Sequence, residues 1–351
     1  MSATTQKFKP IIGITMGDPA SIGPEIAVKA LSQKMIYERC KPLIVGNASV
    51  IEKALAMLNF KSRINCIQVM SQARFEYGVL DVFDLQGGDL SSLEYGKVSA
   101  IAGDAAFEAI RKVIDLAVNN HIDATVTGPI NKESINIAGH HFAGHTEIYA
   151  HYTNTEKYAM LLVDDDLRVI HVSTHVSLRQ ACDLVKKERI IDVILLLNAA
   201  CQRFGIKNPV IGVAGLNPHA GDGGLFGDEE ELEIIPAIKE AKSLGFNIEG
   251  PVPPDTLFSK AKGGMYDGCV AMYHDQGHIP FKLQGFDWDA KNNQMKNVRG
   301  VNITLGLPII RCSVDHGTAF EIAGKGLASP DAMLQAIKYA IQLSTNNVQS
   351  S

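Results

Sequence analysis

Short apolar runs alternate with longer amphipathic stretches along nearly the whole chain, and this alternation restricts the fold more than any other feature. Pro10–Met16, Pro42–Val45, Asp123–Val126, Ala159–Val163, Leu167–Val172, Val210–Val213 and Cys269–Met272 read as buried strands. Pro24–Tyr37, Ala100–Ala117, Glu188–Ala200 and Glu229–Ala241 place their apolar residues at helical spacing. Ser21 or Gly23 is the expected cap of the first helix, with Pro24 and Glu25 in its opening turn. Strands that alternate with helices predict an α/β protein with a largely parallel sheet. Val301–Leu305 and Ile309–Val314 follow closely on one another and suggest an antiparallel portion. Asp287–Arg299, polar and turn-rich with the one tryptophan, Trp288, reads as a loop, and Thr345–Ser351 as a frayed end.

With 351 residues the chain can bury a substantial core without disulfides or structural metal. Its 33 basic against 38 acidic residues, a formal charge of −5, disfavour a nucleic-acid backbone or an anionic membrane as the main partner. The six cysteines are scattered with no CxxC pair, as expected of buried thiols in a reducing compartment. No apolar run approaches the ~20 residues of a membrane span, and the polar start of the chain lacks a signal-peptide core. A cytoplasmic location is the expectation.

Histidine is the informative residue type. His175, His219 and His274 each follow an apolar strand where the chain turns. In a parallel sheet such strand ends share one edge, so the three imidazoles can converge on a divalent metal. Separate hydrogen-bonded histidines in turns are the open alternative. The pairs His171/His175 and His274/His278 have helical spacing, but His171 lies in a β-branched run and His278 precedes Ile279-Pro280, where it would cap a turn. Gly17–Glu25 joins the first strand to the first helix and suits either an anion or a ligand-free tight turn; it is neither GxGxxG nor a P-loop. Lys132, after Thr127-Gly-Pro-Ile-Asn, reads as an acid/base group or as a solvated lysine at a helix start. Lys282, Arg299 and Arg311 form a cationic set that calls for a phosphate or carboxylate ligand, or for internal acidic partners.

The segments GDPASIGPE (17–25), TGPINK (127–132), GHTE (144–147), STH (173–175), GLNPHAG (215–221), PPDTLF (253–258), AMYHDQG (271–277), GVNITLGLPIIR (300–311) and VDHGTAFEIAGKG (314–326) together resemble the 4-hydroxythreonine-4-phosphate dehydrogenase family. The resemblance runs collinearly from about residue 10 to 345. The first and last motifs are also similar to loops of isopropylmalate dehydrogenases. The resemblance therefore implies the isocitrate/isopropylmalate dehydrogenase-like fold, two α/β domains with a cleft between them. Residues 1–130 plus 300–351 would carry the cofactor segments, and 131–299 the metal ligands and dimer contacts. Residues 131–133, 138–140, 158–160, 169–172, 224–230 and 274–280 resemble the D-threonate/D-erythronate 4-phosphate dehydrogenase branch.

Residue by residue, the resemblance implies that His175, His219 and His274 are metal ligands, the third supplied by the neighbouring protomer of a homodimer. His145, Thr146, Lys282, Asn302 and Arg311 match substrate contacts. Lys132 matches an acid/base group, and Asp255 an acidic residue beside the metal. Gly17, Asp18, His316, Gly317 and Ala319 fall in the cofactor segments. The implied activity is NAD-dependent oxidation and decarboxylation of a phosphorylated four-carbon hydroxy acid, D-threonate or D-erythronate 4-phosphate, to dihydroxyacetone phosphate. The implied metal is Zn, Mg, Mn or Co. The alternatives are 4-hydroxy-L-threonine 4-phosphate oxidation in pyridoxal phosphate biosynthesis and an aromatic cis-dihydrodiol carboxylate dehydrogenase. Outside that class stand a phosphate acyltransferase and a non-catalytic metal- or metabolite-binding protein.

Overall fold

The protein is described here from a computed structural model covering residues 8–290 and 294–347. Its strands are β1 (Ile11–Thr15), β2 (Lys41–Gly46), β3 (Arg63–Ile67), β4 (Val79–Asp84), β5 (Ala124–Thr127), β6 (Ala159–Asp164) and β7 (Leu167–His171). They continue with β8 (Val210–Ala214), β9 (Asn247–Val252), β10 (Gly268–Ala271), β11 (Phe286–Asp289), β12 (Gln294–Val298), β13 (Val301–Leu305) and β14 (Arg311–Val314). The α-helices are α1 (Gly23–Leu31), α2 (Lys34–Arg39), α3 (Ala48–Leu58), α4 (Ala100–Val118), α5 (Lys132–Ile137) and α6 (His145–Tyr152). They are followed by α7 (Leu178–Asp183), α8 (Lys187–Arg203), α9 (Ile235–Ser243), α10 (Pro254–Lys262), α11 (His274–Gly285) and α12 (Asp331–Asn347). Among the described residues no helix is long and apolar enough to cross a membrane.

The chain divides into two compact units, Met1–Thr155 with Leu307–Ser351 and Glu156–Gly306, against expected boundaries at 130 and 300. The first boundary falls after α6 because α5 and α6 complete the first core. Ile135, Ile148 and Tyr149 pack with Phe107, Ile110 and Val113 of α4. Gly103 lets the two backbones meet, since a Cβ there would strike the Ser134 carbonyl.

Unit 1 has strand order β3-β4-β2-β1-β5-β14, with every pair parallel. From β1 the chain runs one way to β2, while β5 lies on the opposite side. The loops after β1 and β5 therefore flank the topological switch point, where open α/β sheets hold ligands. Unit 2 has the order β13-β6-β7-β10-β8-β9. Its β7, β10, β8 and β9 are parallel, while β6 runs antiparallel to both β7 and β13. The expected antiparallel portion thus includes Val301–Leu305, whereas β14 runs parallel to β5.

Five expectations are corrected. The helix expected over Pro24–Tyr37 is two helices: Ser32 turns its hydroxyl back on the Lys29 carbonyl and Gln33 is extended. The N-cap of α1 is Ile22, with no side-chain bond of its own; Ser21 Oγ accepts the Gly23 N–H at 3.0 Å. Over Glu229–Ala241 a π-helical turn, Glu230–Ile234, precedes α9. Pro236 has no N–H to give, so the ordinary helical ladder cannot pass through it. The expected loop 287–299 contains an antiparallel ribbon, β11 with β12, while residues 291–293 lie outside the described residues. The last helix extends to Asn347 where fraying was expected from Thr345; residues 348–351 are likewise outside the described residues.

Candidate active site

At the switch point of unit 1 the two loops interlock through glycine. Gly17 has φ +72°, and a Cβ on it would lie 2.5 Å from the Pro129 carbonyl. Asp18 N–H donates to that same carbonyl at 2.8 Å, and Gly128 N–H donates to Thr15 Oγ1 at 3.1 Å. The Asp18 carboxylate is turned inward: it is fully buried, accepts the Ala20 N–H at 2.8 Å, and has no hydrogen-bond partner of good geometry on Oδ2. Burial raises its pKa to about 6, against smaller opposing effects from Ala20, Ser134 and Asn131.

Beside these loops lies a buried cationic group. Arg311 enters from the start of β14, 2% exposed, and its Nη2 donates to Thr127 Oγ1 at 3.1 Å. Its guanidinium lies 5.5 Å from the centre of the Tyr149 ring. Tyr149 is fixed in turn by its hydroxyl bond to Thr125 at 3.0 Å. His145 opens α6, and its Nε2 is buried with no hydrogen-bond partner. Burial, then the charges of Arg311 and Lys132, hold His145 well below the usual histidine range, against a smaller opposing hydrogen bond to the Gly128 backbone. A neutral imidazole and a buried guanidinium, close to an exposed lysine, suit an anionic ligand. Lys132 stands in the first turn of α5, whose cap is Asn131 accepting the Ser134 N–H at 2.7 Å. Thr146 is half-buried in the first turn of α6.

In the cofactor segment, the Thr318 carbonyl accepts the Ile22 N–H at 3.2 Å, tying this turn to α1. Ala319 is left-handed at φ 44°, and space is open where Gly317 would carry a Cβ. His316 Nδ1 meets the Gly317 carbonyl at 3.0 Å, and burial lowers its pKa.

Unit 2 places the three expected metal ligands after three neighbouring strands: His175 after β7, His274 after β10 and His219 after β8. The His175 and His274 rings are 5.9 Å apart. His274 Nδ1 lies 2.6 Å from Asp275 Oδ1, which orients the ring and leaves Nε2 to face a ligand. His219 is exposed, with its ring 6.3 Å from that of Phe226. Among the described residues no group of three or more His, Cys, Asp or Glu side chains is placed to hold a metal. One chain therefore brings two of the three imidazoles together. The donor set fits a borderline divalent ion, because an imidazole whose second nitrogen is held by a carboxylate is a common metal ligand.

Behind His274 the rings continue inward. His278 belongs to α11 instead of capping a turn, and stacks on His274 at 3.7 Å with an angle of 12°. Its ring is 4.7 Å from that of His171, which is buried on β7. Gly277 makes room, since a Cβ there would strike His171 Nε2. Burial, reinforced by the neighbouring rings, lowers His171 to about 3 and His278 to about 4. Asp255 is exposed in the first turn of α10, Lys282 lies 5.3 Å from the centre of the Phe286 ring, and Asn302 is half-buried on β13.

Two supporting residues escaped the sequence reading. Gln276 donates to the Gly215 carbonyl at 2.8 Å and accepts the Met272 N–H at 2.7 Å, joining the His219 loop to the His274 turn. Glu230 is buried and accepts the Leu216 and Asn217 N–H groups at 2.7 and 2.8 Å. In sequence it sits in the acidic run Asp228–Glu231, where nothing separates a buried carboxylate from a solvated one.

Unit 1 thus holds a buried cationic cluster at its switch point, and unit 2 an oriented imidazole pair. The sequence profile described as pyridoxal phosphate biosynthetic protein PdxA matches residues 38–340, and the chain belongs to that family. It is 48% identical over 342 residues to a putative D-threonate 4-phosphate dehydrogenase of Oceanobacillus iheyensis, covering 95% of this chain and 98% of the relative. It is 45% identical over 339 residues to D-threonate 4-phosphate dehydrogenase of Cupriavidus necator, covering 96% and 98%. The crystal structure of a 4-hydroxythreonine-4-phosphate dehydrogenase from Klebsiella pneumoniae is similar at TM-score 0.85 and 42% identity, covering 97% of this chain and all 100% of that one. The protein is a dehydrogenase, an oxidoreductase acting on a CH–OH group.

Proposed function

We propose that this dehydrogenase uses NAD and a divalent metal to oxidise a phosphorylated four-carbon hydroxy acid, D-threonate 4-phosphate or D-erythronate 4-phosphate, in the cytoplasm. The observation that carries the chemistry is the placement of His175, His274 and His219 directly after three neighbouring strands. The substrate class is supported by the names of relatives 48% and 45% identical over nearly the whole chain. Oxidation at C3 gives a β-keto acid, whose loss of CO₂ yields dihydroxyacetone phosphate.

A divalent ion held by these imidazoles would supply Lewis acidity that lowers the pKa of the reacting alcohol, and NAD would supply the hydride acceptor. The chain's own groups do the rest. Arg311, His145 and Thr146 hold one anionic end of the substrate, with the guanidinium already desolvated and oriented by Thr127. Lys282 and Asn302 hold another polar end. Lys132 receives the hydroxyl proton, and Asp255 orients a water or ligand near the imidazoles. Gly17 and the segment His316, Gly317 and Ala319 line the adenosine, and Asp18 braces that turn from within. His175, His219 and His274, with one of the three supplied by a second copy, complete the donor set, so the working enzyme is a homodimer.

The test is NADH formation with D-threonate 4-phosphate, D-erythronate 4-phosphate and 4-hydroxy-L-threonine 4-phosphate, with and without a chelator. The expected result is chelator-sensitive turnover of a four-carbon acid with dihydroxyacetone phosphate as product. Turnover of 4-hydroxy-L-threonine 4-phosphate alone would replace this reading with the second one, a step of pyridoxal phosphate biosynthesis. That second reading is supported by the family profile and the Klebsiella pneumoniae structure.

A further inference from the structure

The segment after β8 has an unusual backbone. Six consecutive residues have positive φ: His219 (55°), Ala220 (57°), Gly221 (82°), Asp222 (46°), Gly223 (69°) and Gly224 (89°). Three of them carry a Cβ, which disfavours this conformation, so the surrounding structure must impose it. Glu230 is the group that grips the entrance to this run. It projects from the π-helical turn ahead of α9, 2% exposed. One carboxylate oxygen accepts both the Leu216 N–H (2.7 Å) and the Asn217 N–H (2.8 Å); the other accepts Asn217 Nδ2 at 2.9 Å. Two glycines leave room for it. A Cβ on Gly215 would lie 3.0 Å from one carboxylate oxygen, and a Cβ on Gly221 would lie 2.8 Å from the other. On the far side, Gln276 of the His274 turn holds the Gly215 carbonyl at 2.8 Å.

We propose that Glu230 is a positioning residue for His219: its carboxylate, clamped on the Leu216 and Asn217 amides, fixes the left-handed run that presents the His219 imidazole to the metal. The inference rests on the reading of His219 as a ligand and goes beyond it. The ligand is held by a buried acid eleven residues further along the chain, touching neither metal nor substrate. The role of Glu230 is geometric, so reach matters more than charge.

The test is Mn²⁺ titrated into the metal-free dimer, with free Mn²⁺ read by electron paramagnetic resonance, alongside hydrogen exchange of the Leu216 and Asn217 amides. E230Q keeps an oxygen for both amides and is expected to bind Mn²⁺ within about threefold of wild type. E230A leaves them unpaired and is expected to weaken binding about 10–100-fold, the usual range for residues that orient a ligand, with faster exchange at both amides. I234A removes a buried side chain from the same turn without touching the clamp, and serves as the control for lost stability. Should E230A fail to fold, E230D decides: it keeps the charge and loses the reach, and is expected to bind Mn²⁺ at least about fivefold more weakly than E230Q. Equal affinity in E230A and I234A, or E230D binding more tightly than E230Q, overturns the proposal. H219A separates the two levels: wild-type Mn²⁺ affinity in H219A would remove the ligand reading itself, whereas weak binding in H219A with normal binding in E230A would remove only the role of Glu230.

Discussion

The loops at the strand ends of unit 1 and unit 2 meet similar demands by opposite means. In unit 1 the ionisable groups at the switch point, Lys132 apart, are sealed into the fold. Arg311 and Asp18 are buried, and His145 Nε2 is shut off from solvent. In unit 2 the three expected ligands stand at half-buried or exposed turns, and the buried groups, Glu230, Gln276, His278 and His171, lie one layer behind them. A site that binds an anion can be finished within one chain, because backbone turns and one guanidinium suffice. The proposed site of three imidazoles needs converging vectors, and among the described residues a single chain brings two of the rings within 5.9 Å.

The contrast is broken most sharply in unit 2. His274→Ala removes one of the two converged imidazoles, and NADH formation is expected to fall about 10⁴-fold or more, with thermal melting close to wild type. In unit 1, Arg311→Met removes a buried charge. The expected cost is on the order of 10³ in kcat/KM, about 4 kcal/mol, measured with the phosphorylated acid as varied substrate.

Two buried groups, Asp18 in unit 1 and His171 in unit 2, also differ in the sign of their response to pH. Asp18 has a folded pKa raised to about 6 from 3.8. Its contribution is fully favourable below pH 3.8 and is lost as pH rises through about 6. Asp18→Asn removes the burden of an ionised, buried carboxylate. It is expected to stabilise the protein by up to about 3 kcal/mol at pH 7.5 relative to its effect at pH 3.8, as read by urea unfolding. His171 behaves oppositely, with a folded pKa of about 3 against 6.5. Its stability is present above pH 6.5 and is lost as pH falls towards 3. Between pH 6.5 and 5 the metal-free protein is expected to lose about 2 kcal/mol through this group. Hydrogen exchange should show the loss in β7 and α11; unchanged protection there over that interval would contradict the assignment.

Much of this was legible in the sequence, and the exceptions have physical causes. Buried parallel strands announce themselves as apolar runs, so β1, β2, β5 to β8 and β10 could be read directly. The edge strand β3 could not, because its outward residues are polar and half-exposed. A proline at 280 argued against helix for His278, yet α11 carries Pro280 within it. Asn302 and Lys282 belong to unit 2, whereas Arg311 and His145 belong to unit 1. Charge and spacing name such residues without saying which unit holds them. Glu230 was hidden because acidity in a run says nothing about burial, and only the carboxylate's reach to the Leu216 and Asn217 amides reveals its place.

The central claim is that the imidazole site takes ligands from two copies of the chain, and mixing His219→Ala with His274→Ala protein tests it most directly. Each variant alone is expected to be inactive. Unfolded together and refolded, they form mixed dimers in which one site regains all three rings and the other loses two, so NADH formation reappears at a substantial fraction of wild type. Sites built within single chains would remain inactive in every mixture, and that result would contradict the account.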